Sequence, residues 1–172
     1  MAGGVHRAGI RDVVYVPDSP LSLVLRVCDG IYPDVRLILA TREEEAFGIA
    51  AGLYLGGRRP AVMLQSSGVG NSLNAITSLL LPYRIPVLMV VNMRGEPGEW
   101  NEAQVPMGHA LGAIFAAIGV AHSTVDSAAS AAEAVEAAAA AAFTSRSAVA
   151  CLLSRRLWED GVRPRGQTPS TQ

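Results

Sequence analysis

Short runs of apolar, β-branched residues alternate along this chain with segments of helical periodicity. The runs are 13–16 (VVYV), 35–40 (VRLILA), 61–65 (AVMLQ), 86–91 (PVLMVV), 120–125 (VAHSTV) and 148–153 (AVACLL). They are apolar throughout, not alternating, which is the pattern of strands buried on both faces. Helices are predicted between them, over 19–29, 43–55, 70–81, 106–118 and 127–142. Strand and helix in steady order imply right-handed crossovers. The expected fold is therefore a three-layer α/β/α domain around a mainly parallel six-stranded sheet. The Ala-rich stretch 128–142 is broken only by Glu133 and Glu136 and reads as a helix packed closely on that sheet. From Gly161 onward, GVRPRGQTPSTQ shows no apolar period. Residues 1–160 are expected to form the domain and 161–172 a flexible tail.

Composition narrows the function. Half of the 172 residues are apolar, 17% are charged, and the formal net charge is −1. No Lys/Arg block is present, so nucleic acid and membrane surfaces are not expected partners. No apolar run approaches the roughly 20 residues that span a bilayer. Cys28 and Cys151 lie singly inside apolar runs, without metal or redox spacing. They read as core thiols of a reducing, cytoplasmic setting. So little charge on the chain also points to surface covered by another subunit.

In a parallel sheet, ligands bind beyond the carboxyl ends of the strands. Four loops lie there. Asp18 in VPDSP follows the first strand, where it can cap the next helix or enter a site. Thr41 to Glu45 follow the second. Thr41-Arg42-Glu43-Glu44 has the form of a capping box, with Thr41 as cap and Glu44 reaching back. All three acids also favour the positive end of the helix dipole. Capping accounts for Glu44 and Glu45 and leaves Glu43 unexplained. The third loop, in QSSGVGNSLN, carries a Gly-x-Gly expected to turn before a helix at about Asn71. Glycines of this kind let a backbone approach a ligand. It has neither the Lys of a P-loop nor the third glycine of a dinucleotide fingerprint. The fourth loop, 92–104, is long and polar, as functional or mobile loops are. It holds Arg94, which can meet an anion or pair with Glu96 or Glu99. His109 follows near a helix start.

Three stretches together, TREEEAFGIAAGLYLGG, QSSGVGNSLNAITSL and PYRIPVLMVVNMRGEPGEWNEAQVPMG, resemble the pyrimidine-binding domain of thiamine diphosphate enzymes. Within that family the likeness is nearest to the α subunit of sulfopyruvate decarboxylase and the matching half of phosphonopyruvate decarboxylase. It covers about residues 10–155. The family places its catalytic glutamate nine residues before a helix glycine, and Gly52 points back in that way to Glu43. The resemblance implies that Glu43 hydrogen-bonds N1′ of the cofactor's aminopyrimidine. A mostly buried carboxyl there can share a proton with the ring and so help activate the thiazolium. It further implies a proton relay at Asp18, and a role for His109 like that of a family histidine. Glu43, Ser67, Gly68 and Asn71 are the expected cofactor contacts. Ser66, Arg94 and Gln104 are the expected substrate contacts, with Arg94 facing an anionic tail.

No metal ligands are expected here. The family holds Mg2+ and the diphosphate on a second domain with a GDG motif and a downstream Asn. CDG at 28–30 falls inside a predicted helix instead. The resemblance therefore implies the α-type part of a split decarboxylase. It would act on a small anionic 2-oxo acid and share thiamine diphosphate with a β-type subunit, in an α2β2 or larger assembly. Two alternatives stay open: a carboligase subunit of the same cofactor class, and a non-catalytic α/β ligand-binding or regulatory subunit.

Overall fold

The computed structural model describes residues 1–159. Six strands form one sheet: β1 (Asp12–Tyr15), β2 (Arg36–Leu39), β3 (Pro60–Gln65), β4 (Val87–Asn92), β5 (Ala121–Val125) and β6 (Ala148–Leu153). Their order is β2-β1-β3-β4-β6-β5, and every pairing is parallel. The three-layer architecture expected from the alternating pattern is thus the observed one.

One layer holds α1 (Ala2–Arg7), α2 (Leu21–Ile31) and α7 (Ala131–Ser145). The opposite layer holds α3 (Glu43–Leu55), α4 (Ser66–Asn71), α5 (Leu73–Ala75), a π-helical turn (Ile76–Leu80) and α6 (Val105–Ile118). A short α8 (Arg156–Glu159) ends the described chain. Phe47 of α3 and Phe115 of α6 are fully buried against the sheet. Full burial of such a side chain contributes about 1.5–3 kcal/mol.

Several predicted boundaries move. The helix α1 was not predicted, because AGGVHR has two glycines and little intrinsic propensity. Tertiary packing forms it: Val5 is fully buried, and a Cβ on Gly4 would lie 2.2 Å from the Ala132 carbonyl oxygen. The Ala-rich α7 lets α1 come that close. The segment predicted as one helix over 70–81 begins at Ser66 and is three consecutive pieces. Gly68 and Gly70 therefore lie inside α4, not in a turn before it. Burial on both faces holds for β3, β4 and β6 but fails at the sheet edges. Ala121 to Thr124 of β5 and the ends of β2 are exposed, since an edge strand has only one neighbour. The expected tail at 161–172 lies outside the described residues.

The strand order reverses direction at β1/β3, since β1 leads outward to β2 and β3 onward to β4. That reversal opens a crevice at the carboxyl ends of the strands. A cleft of about 1030 Å³ lies there, lined by Tyr15, Asp18, Arg26, Asp29, Gln65 and Arg94 among others.

Candidate active site

Two groups of the expected residues sit at this edge, joined by the start of α4. The first surrounds Glu43, the first residue of α3. Glu43 is half-buried, and its side chain lies across α4: a Cβ on Gly68 would come within 2.5 Å of Glu43 Cγ and 2.7 Å of Oε1. A side chain at this position would push the Glu43 carboxylate aside. Asn71 Nδ2 donates to Glu43 Oε2 at 3.3 Å and to Glu44 Oε2 at 2.9 Å. Among the described residues Oε1 of Glu43 accepts no hydrogen bond, so it is available to a ligand. Ser67 is half-buried beside Gly68 on the same short helix.

The acids divide their work differently from the predicted box. Arg42, not Thr41, is the N-cap of α3. Glu45 reaches back, its Oε2 accepting from the backbone N–H of Thr41 at 2.7 Å and of Arg42 at 3.3 Å. Glu44 instead pairs with Arg42 Nε at 2.8 Å and with Asn71. The helix starts one residue later than the S/T-x-x-E pattern implies, so the reciprocal bonds shift by one. Glu43 stays outside the capping, as expected.

The second group lines the cleft. Asp18 Oδ1 accepts from the Leu21 backbone N–H at 3.3 Å, at the start of α2, and from Asn92 Nδ2 at 3.1 Å. It therefore satisfies the first N–H of α2, from two residues before the Pro20 N-cap, and lines the cleft at once. Burial raises the Asp18 pKa above the ordinary carboxylate value, against the lowering effect of these bonds and of Arg94. Arg94 is held bidentately by Glu99, with Nε to Oε2 at 2.7 Å and Nη2 to Oε1 at 2.8 Å. Its Nη1 donates to Gln65 Oε1 at 3.1 Å. The guanidinium thus lines the cleft as half of an ion pair. Hydrogen bonding from Arg94 holds Glu99 down to about 2.

The remaining candidates shape the loop. Ser66 is fully buried, and its hydroxyl accepts from the Arg94 backbone N–H at 3.2 Å. It joins the two groups and does not open on the cleft. His109 is exposed on α6, with Nε2 donating to the Gly95 carbonyl at 2.8 Å. Gly95 has φ +81°, and a Cβ on it would meet Val105 at 2.9 Å. These contacts pin the turn to α6. Gln104 caps α6 with its backbone, and its buried side-chain oxygen has no hydrogen-bond partner among the described residues. Asn92 and Trp158 contribute to the site without having been expected there. A polar residue closing an otherwise apolar strand was the one sequence signal for Asn92.

The N-terminal TPP binding domain of thiamine pyrophosphate enzymes matches this chain over residues 1–99. The chain belongs to that family. The sulfopyruvate decarboxylase α subunit of Methanothermobacter thermautotrophicus is 41% identical over 90% of this chain and 93% of that subunit. The sulfopyruvate decarboxylase of Methanosarcina acetivorans is 32% identical over 90% of this chain, but over only 39% of its own length. A phosphonopyruvate decarboxylase of Streptomyces viridochromogenes is 40% identical over 66% of this chain and 28% of its own length. The likeness inferred from three motifs is borne out, and with it the decarboxylase class of the cofactor family. The fold is shared with a 2-oxoglutarate:ferredoxin oxidoreductase of Magnetococcus marinus, at TM-score 0.69 and 14% identity over 89% of this chain and 28% of that one. No helix among the described residues is long and apolar enough to cross a membrane.

Proposed function

We propose that this chain is the α-type subunit of a cytoplasmic thiamine-diphosphate-dependent decarboxylase of a small anionic 2-oxo acid, of the sulfopyruvate or phosphonopyruvate kind. The observation that carries the reading is Glu43. It lies on the glycine face of α4, outside the capping bonds of α3, with one carboxylate oxygen unengaged among the described residues. That cradle suits a flat ring bearing a basic nitrogen. When bound, thiamine diphosphate supplies a carbanion-forming carbon and an electron sink.

In this reading Glu43 Oε1 would hydrogen-bond the aminopyrimidine while Asn71 keeps Oε2 in place. Ser67 and Gly68 would line the same part of the site, beside Glu43. The cleft beside Asp18 takes the substrate. Decarboxylation of R–CO–COO⁻ to R–CHO and CO2 consumes one proton, which ends on the former carbonyl carbon. Asp18, its proton affinity raised by burial, delivers it. Arg94 meets the anionic tail with whatever charge Glu99 leaves unscreened, and Gln104 and His109 shape the wall of the loop.

The cofactor's phosphates and Mg2+ fall to a β-type subunit. The residues match only 39% of the M. acetivorans enzyme, so a whole enzyme of that design needs further polypeptide. An apolar stripe on α2, Leu23, Val27 and Ile31, stays exposed in the chain alone.

Glu43→Gln in the assembled enzyme tests the central claim. Glutamine keeps the shape but cannot share the proton. CO2 release should fall by roughly 10²-fold or more, while subunit assembly persists. Near-normal turnover would remove Glu43 from the chemistry.

A further inference from the structure

Asn92 ends β4 and is 2% exposed. Its amide is gripped at both ends. Oδ1 accepts from Trp158 Nε1 at 2.9 Å, and Nδ2 donates to Asp18 Oδ1 at 3.1 Å. An indole nitrogen can only donate. Trp158 therefore holds the amide oxygen on its own side and turns the NH2 toward Asp18. Without that contact the amide could rotate half a turn at almost no steric cost and present an acceptor to the carboxyl.

The consequence falls on Asp18. Its Oδ1 already receives two donors, the Asn92 amide and the Leu21 N–H. Among the described residues its Oδ2 receives none, and Asp18 lines the cleft. A proton on this carboxyl therefore has one place to sit. We propose that Trp158 and Asn92 are positioning residues that confine the proton of Asp18 to Oδ2, the oxygen that receives no donor among the described residues. The inference rests on the reading of that cleft as the substrate side of the site. It ties α8, at the end of the described chain, to the loop after β1.

The surrounding charges are few. From the loop after β4, Arg94 favours the ionised Asp18 and Glu99 opposes it. Arg26 and Asp29 of α2 line the same cleft. Trp158 and Leu21 bring no charge. Burial raises the Asp18 pKa, and the Asn92 bond lowers it. Loss of the Asn92 donor must therefore raise it further.

Carboxyl-carbon NMR of the full chain, labelled at aspartate, follows Asp18 directly. In Trp158→Phe, which keeps most of the ring packing and removes the donor, the Asp18 midpoint should rise by about one pH unit, the equivalent of one hydrogen bond to a charged group. In the unmodified chain the Trp158 indole N–H resonance should titrate with the same midpoint as Asp18. That second measurement needs no variant and decides the matter alone if Trp158→Phe fails to fold. An unmoved Asp18 midpoint in a folded variant, or an indole resonance flat through the Asp18 titration, overturns the inference. In the assembled enzyme the alkaline limb of CO2 release should move upward in Trp158→Phe. If the NMR midpoint moves and that limb does not, the wiring stands and Asp18 loses its part in the reaction.

Discussion

A methyl group on Gly68 would sit 2.5 Å from Glu43 Cγ, closer than carbon atoms approach. Glu43 is one of the movable partners in that clash. Gly68→Ala should therefore swing the carboxylate off its place while the helix, which prefers Ala to Gly, keeps its stability. A displacement of about 1 Å at a reacting group costs on the order of 10²-fold in rate. Turnover of the assembled Gly68→Ala enzyme should fall by about that factor with an unchanged melting temperature. A variant of normal rate would show that the contact does not orient Glu43. Glu43 was singled out among the three acids by the family resemblance, through its distance to Gly52. The reason for Gly68 was not legible in the chain, because Glu43 and Gly68 belong to different crossovers and meet only when α3 and α4 pack.

At the scale of elements, the loop after β4 is the clearest case of local reading and its limit. Its length and polarity marked it as functional or mobile. The structure shows it tied down by side chains: Arg94 to Glu99, Glu96 to Ser154 and the Arg155 backbone, and His109 to Gly95. The Arg94–Glu99 pair carries a pH dependence. Arg94 holds Glu99 down to about 2 in the fold, below its ordinary 4.5. A folded-state pKa below the unfolded one stabilises fully above the unfolded value and is lost as pH falls through the folded one. The urea midpoint of the unmodified chain should exceed that of Glu99→Gln at neutral pH. The gap should close between about pH 4.5 and pH 2. A constant gap across that range would show that the pair contributes nothing through ionisation. Neither α1 nor the start of α4 at Ser66 could be read from local pattern. Glycine-rich sequence lacks propensity, and both helices exist because neighbouring elements bury them.

Across the whole molecule, the expected site residues share one edge of the sheet, and its two groups draw on four crossovers. The chain has a cleft and a half-buried carboxylate at this edge, and no group of three or more acidic, histidine or cysteine side chains among its described residues could hold a metal ion. Calorimetry of the isolated chain with thiamine diphosphate and Mg2+ should accordingly show no saturable heat. Tight binding by the pure chain would refute the need for a second polypeptide.

Period and order along the chain were enough to determine the parallel layered fold, because strands buried on both faces must be apolar throughout and joined by helices. The same text placed the candidate residues at the carboxyl edge, since that edge follows from strand direction alone. Only the tertiary structure decided which side chains act on one another. It moved the cap of α3 by one residue, gave Arg94 to Glu99, and brought Trp158 to Asn92 and Asn92 to Asp18. Those pairings span up to 74 residues of chain, and no local pattern encodes a contact that forms when separate elements close over a shared edge.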